Sequence, residues 1–113
     1  MAKHKLRVEL ERRVHAGASL LDIENPDWAL HINEPLCMQS TTKDVLGQLY
    51  TCFAAGLAAL KIRDPSNYGF DLPSYFETTE LRQLDAGFNE PWVYWEWINQ
   101  AWIAEIEVRV KKV

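Results

Sequence analysis

Residues 45–60 read VLGQLYTCFAAGLAAL, a run with no charged side chain in a chain whose charged fraction is 25%. Asp44 and Lys61 close it on either side. A surface helix keeps a charged face, so a helix that lacks one is expected to be packed over most of its circumference. Wound as a helix, the run places Leu46, Leu49, Tyr50, Phe53, Leu57 and Leu60 on one bulky stripe. Gly47, Thr51, Ala54, Ala55, Ala58 and Ala59 form a small-residue face opposite. Small side chains admit a neighbouring helix at the lower end of the usual ~8–10 Å separation. The competing reading is an exposed alanine-rich face, which forms helix well in its own right. The expectation is a buried helix at the centre of a small all-α fold.

The segments around this run read as its neighbours. From Lys5 to Glu24, Leu6, Leu10, Val14, Gly17 and Leu21 recur at spacings of three and four, the period of an amphipathic helix. On its outer side Glu9 can pair with Arg13, and Arg7 with Glu11. Asn25-Pro26-Asp27 stops that helix, because the residue before a proline is pushed out of the helical region. Residues 28–41 read as irregular, with Trp28, Ile32, Leu36 and Met38 as core anchors. Ser40-Thr41-Thr42 supplies an N-cap, and Thr41 with Asp44 approximates a capping box. Asp64-Pro65-Ser66-Asn67 ends the uncharged segment. Beyond a loop pinned by Tyr68 and Phe70, residues 78–86 read as a short helix with Leu81 and Leu84 inward and Gly87 as its C-cap. Pro91 opens a last helix of about twenty residues.

That last helix carries four of the five tryptophans of the chain. Trp92, Trp95, Ile98, Trp102, Ile103 and Ile106 gather on one stripe. Val93, Trp97, Ala101 and Val108, with Tyr94 beside them, gather on the other. A helix apolar on two sides is either sandwiched inside the fold or offers one stripe to a partner. Tyr and Trp are enriched where binding energy concentrates, so Val93, Tyr94, Trp97, Ala101 and Val108 form the candidate partner interface.

Composition narrows the function. The 113 residues fit one helical domain, 1–113, and the net charge of −4 is unevenly placed. Residues 1–13 carry a local balance of +3, and residues 64–107 a balance of −8 with Arg82 as their only base. Phosphate neutralisation needs clustered Lys and Arg, so nucleic acid is not the expected partner. A helix-turn-helix reader would need base-reading side chains on an exposed helix, and none is in place. Two cysteines make no disulfide framework. The start, MAKHKLRVELERR, has no apolar signal region, and the uncharged run is short and polar for a membrane span. These features fit a cytoplasmic protein without a membrane segment.

Chemistry is sparse. No phosphate-binding loop, nucleophile elbow or HExxH spacing occurs. His31, Cys37 and Cys52 lack the close-spaced pairs of a zinc site, so no metal and no cofactor are expected. Glu96, between Trp95 and Trp97, is the one carboxylate whose surroundings suggest desolvation. It has no catalytic partner in view, and the expectation is a protein without enzymatic activity.

Several short strings carry a resemblance: Gly17-Ala18-x-Leu20-Leu21-Asp22, Pro26-x-Trp28, the VLGQ of Val45-Leu46-Gly47-Gln48 with Leu49-Tyr50, Tyr68-Gly69-Phe70, and Trp102-Ile103 with Ile106. Together they resemble a family of small uncharacterised proteins encoded by actinobacteria and their phages, over most of residues 14–109. Where that family often has Cys before VLGQ and Gly after the aromatic residue, this chain has Asp44 and Thr51. The resemblance implies a phage or bacterial cytosolic origin. The expected function is a protein-binding module, a phage accessory protein that modulates a host protein. An acidic mimic of nucleic acid and a self-assembling structural protein are the alternatives.

Overall fold

The computed structural model describes residues 5–72 and 91–111. Their regular elements are helical throughout, with no strand among them: α1 (Lys5–Glu24), α2 (Val45–Tyr50), α3 (Phe53–Leu60) and α4 (Pro91–Val110), plus 3-10 turns at Trp28–His31 and Pro65–Tyr68. The chain is a small all-α protein. The short helix expected over residues 78–86, with Leu81, Leu84 and Gly87, lies outside the described residues.

The scaffold is the pairing of α1 with α4. Arg7 bonds Gln100 at 2.9 Å, His15 meets Glu105 at 2.9 Å, and Arg109 meets Asp22 at 2.8 Å. These contacts advance together along both helices, so α1 and α4 run in the same direction. The α1 stripe packs inward as its period requires: Leu10, Val14 and Leu21 are fully buried, with Leu6 partly so. Arg7 turns to Gln100 rather than Glu11, and its guanidinium lies 6.0 Å from the Trp97 ring centroid. Glu9 binds Arg13 at 2.9 Å as expected, and Arg12 as well.

Trp102 is the centre of the core. Phe70 stacks on its ring at 5.2 Å and Trp28 meets it edge-on at 5.7 Å. Gly17 of α1 makes room for this arrangement, since a Cβ there would lie 2.0 Å from the Tyr68 carbonyl oxygen and 3.1 Å from the Trp102 ring. Trp28 and Met38 are buried anchors, with Ile32 and Leu36 packed against the core at its margin.

The uncharged run is not one central helix. It breaks at Thr51, whose backbone turns to φ 83°, ψ −43°, and restarts from an extended Cys52. The break folds α3 back onto α2, where Gly56 lets Leu46 approach so closely that a Cβ would lie 2.7 Å from the Leu46 Cβ. The Phe53 N–H is drawn to the Thr41 carbonyl at 2.8 Å. Ala54, Ala55, Ala58 and Ala59 remain exposed. Alanine has so little apolar surface that leaving four at the surface forfeits little burial energy, and its helix propensity holds α3 without charges. Absence of charge therefore did not mean burial of this run.

Within the VLGQ string each residue has a structural task. Val45 and Leu46 are buried in the core. The Gly47 N–H donates to Asp44 Oδ1 at 2.8 Å, making Asp44 the N-cap of α2. Ser40 caps the preceding turn instead, its Oγ accepting from the N–H of Thr42 and Lys43. Gln48 accepts from the N–H of Asn33 and Glu34 and donates to the carbonyls of Glu34 and Lys43. One side chain thus fastens two loop segments to α2.

Candidate functional site

The expected interface on α4 is mostly interior. Tyr94 is 3% exposed, Trp97 8%, Val93 9% and Ala101 9%, whereas Val108 is 51% exposed. The inward face of α4 runs through Tyr94, Trp97, Ile98, Ala101 and Trp102 and continues through Glu105 and Arg109, at helical spacings of three and four. Its last two positions are charged and held by partners across the helix pair. Arg109 reaches both oxygens of Asp22 at 2.8 Å and the Glu105 carboxylate at 3.1 Å, and lies 5.4 Å from the Trp28 ring centroid. The Trp28 indole N–H donates to Asp22 Oδ1 at 2.9 Å. A stripe that turns from aromatic to charged halfway hides its own period, which is why two apolar stripes were read from the sequence where one mixed stripe exists. Glu96, whose neighbours suggested desolvation, is exposed and accepts from Gln100 at 3.4 Å.

A pocket of about 220 Å³ opens beside α2, at the junction of the 38–44 turn, the start of α3, the Phe70–Asp71 loop and α4. Met38, Phe53, Phe70 and Trp95 form its apolar walls, and Ser40 and Thr41 lie at its polar side. Two carboxylates, Asp44 and Asp71, also line it. The fold positions these groups firmly. The Met38 N–H donates to Asn99 Oδ1 of α4 at 2.8 Å, tying the turn to the helix that supplies Trp95. Phe70 is held against Trp102, and Phe53 follows the Thr51 break.

Asp44 is the unusual member. It is 1% exposed, the one charged residue among the fully buried side chains of the described residues. Burial pushes its carboxyl up to about 6, against the opposing pull of the Gly47 N–H and its own N–H. Asp71 is half-buried, and its Oδ1 accepts from the Leu72 N–H at 2.8 Å. Among the described residues no Lys, Arg or His lines the pocket. In the sequence Asp44 reads as a helix-start residue, because nothing local marks a cap as buried. What could have marked it is that an acid stands at the head of the longest uncharged run.

Other candidates do not converge. Cys37 and Cys52 are half-buried free thiols, and no group of three metal-ligating side chains occurs among the described residues. No described helix is long and apolar enough to cross a membrane. Comparison with protein-family models, with curated proteins and with solved structures yields no match.

Proposed function

We propose that this chain is a small non-catalytic binding module whose partner is another protein, and that the Asp44 pocket receives one side chain of that partner. The reading is supported above all by the pocket's dimensions and walls. At about 220 Å³ it is smaller than the ~300–1,000 Å³ of sites for drug-sized ligands, yet it has the aromatic walls and few fixed polar groups of a recognition site. On this reading the contact lies around Phe53 and Trp95 rather than on Val93, Tyr94, Trp97 and Ala101. The family resemblance would make such a module a phage or bacterial accessory protein acting in the cytoplasm on a host protein.

The test is affinity capture from a bacterial lysate with the wild type, Trp95→Ala, Phe53→Ala and Ile103→Asp, an exposed position that does not line the pocket. Circular dichroism establishes that each variant is folded. A partner retained by wild type and Ile103→Asp but lost by both pocket variants supports the reading. Partners held equally by all four proteins refute it. Capture at low and high salt separates it from an acidic nucleic-acid mimic, whose binding would collapse as salt rises.

A further inference from the structure

Resting on the reading that the pocket receives a partner's side chain, we infer that the side chain is a lysine, with its ammonium group meeting Asp44 and its alkyl stem lying along Phe53, Phe70 and Trp95.

The argument begins with what an N-cap requires. The cap of α2 needs an oxygen to accept the Gly47 N–H, and asparagine provides one as well as aspartate does. A carboxylate adds a negative charge, which is costly to bury without a cationic partner. Asp44 is 1% exposed, and no basic side chain among the described residues is paired with it. Neighbouring Lys43 is exposed to solvent. The charge is therefore superfluous to the cap and unfavourable to the core, but it lines an open pocket. Asp71 adds a second carboxylate to the same pocket, and among the described residues no base lines it to offset either. An anion is repelled there, and a neutral apolar group leaves Asp44 desolvated and unpaired.

The pocket also distinguishes among cations. Its volume equals roughly seven water molecules at ~30 Å³ each, room for a four-carbon stem and its head group. Aromatic walls favour a cation over their faces, and lysine lays its methylenes on apolar surface while its head seeks a charge. Arginine recognition works best where both carboxylate oxygens are open to a planar fork. Asp44 Oδ1 already accepts from Gly47 at 2.8 Å, so a compact ammonium suits the remaining oxygen better than a guanidinium.

Amide-resolved NMR titration tests this with four probes: n-butylammonium and the N-acetyl N-methylamides of lysine, arginine and norleucine. Saturable shifts at the Gly47 and Asp71 amides are expected with n-butylammonium and the lysine derivative, in the millimolar range. The arginine derivative should bind more weakly and the norleucine derivative not at all. Asp44→Asn retains the cap, should keep the wild-type spectrum elsewhere, and should weaken the lysine probe at least about tenfold, the size of a charge-assisted hydrogen bond. Equal binding of norleucine, tighter binding of arginine, unchanged affinity in Asp44→Asn, or still pocket amides with every probe would each overturn the inference. Binding of n-butylammonium without the lysine derivative would also overturn it, marking a site for a free amine. These outcomes are independent of partner capture: a partner lost by Trp95→Ala in a protein indifferent to ammonium leaves the binding module standing and removes only the lysine.

Discussion

The indole N–H of Trp102 donates to the backbone carbonyl of Gly69 over 2.6 Å, inside the core and across 33 positions of sequence. It joins the loop that carries Phe70 to α4, and Phe70 in turn walls the pocket. Trp102→Phe keeps most of the aromatic packing and leaves the buried carbonyl without its donor. The expected cost is about 1–3 kcal/mol, and Trp102→Ala should cost about 3–5 kcal/mol. Urea denaturation measures both. A Trp102→Phe variant as stable as wild type would show that this bond contributes nothing.

Gly17→Ala opposes two effects in one residue. Alanine favours the helix by about 1 kcal/mol over glycine, but its Cβ would lie 2.0 Å from the Tyr68 carbonyl oxygen. Backbone must move to accept it, and overpacking of that kind costs about 1–3 kcal/mol. The clash should win, with a lower thermal midpoint than wild type. A raised midpoint would mean that α1 and the Pro65–Tyr68 turn separate freely.

Arg109 and Asp22 close the end of the helix pair, and the guanidinium fork is what lysine cannot reproduce. The pair is partly open to water, with Asp22 47% and Arg109 19% exposed at their side chains, so solvent screening limits its worth. Arg109→Lys should cost about 1 kcal/mol. A double-mutant cycle with Asp22→Asn should give a coupling of about 0.5–1 kcal/mol, and zero coupling would reduce the pair to a surface contact.

The extent to which the sequence was legible follows the physics of each element. The period of α1 was readable because Leu10, Val14 and Leu21 carry its burial and the opposite face is charged. The length of α4 was readable, but its inward face was not. Ion-paired Glu105 and Arg109 continue that face, while Ile103 and Val108 stay outside. The 45–60 run misled on burial because small apolar residues are tolerated at a surface. Thr51, non-glycine at φ 83°, gives no local sign of a break. The pocket could not be read at all, since it draws on four separate stretches of chain and on an aspartate whose burial is set by tertiary contacts.

Asp44 predicts an unusual pH dependence of stability. Its carboxyl is raised to about 6 in the folded protein by burial, against about 3.9 in an unfolded chain. Between those values the folded state holds the proton more often, so stability falls as pH rises from about 4 to about 6. The penalty is complete above pH 6 and absent below pH 4. Fully counted it would approach ~3 kcal/mol, and local relaxation of the fold around a buried charge brings the expected effect down to about 1 kcal/mol. Glu9, held down to about 2 by its hydrogen bonds from Arg12 and Arg13, and Asp22, lowered by Arg109, act oppositely. Their contribution is present above pH 4 and is lost as pH falls further. Stability should therefore peak near pH 4–5. Asp44→Asn keeps the cap and removes the titrating group, so it should abolish the slope between pH 4 and 6 and exceed wild type by about 1 kcal/mol at pH 7. Asp44→Ala also removes the slope but loses about 1 kcal/mol of capping at every pH. Urea denaturation of the three proteins at pH 4, 5, 6 and 7 separates these effects. A slope that survives in Asp44→Asn would assign it to another group. A stability gain in Asp44→Asn, coupled to loss of ammonium binding, would identify the buried charge as one retained for recognition at the expense of the fold.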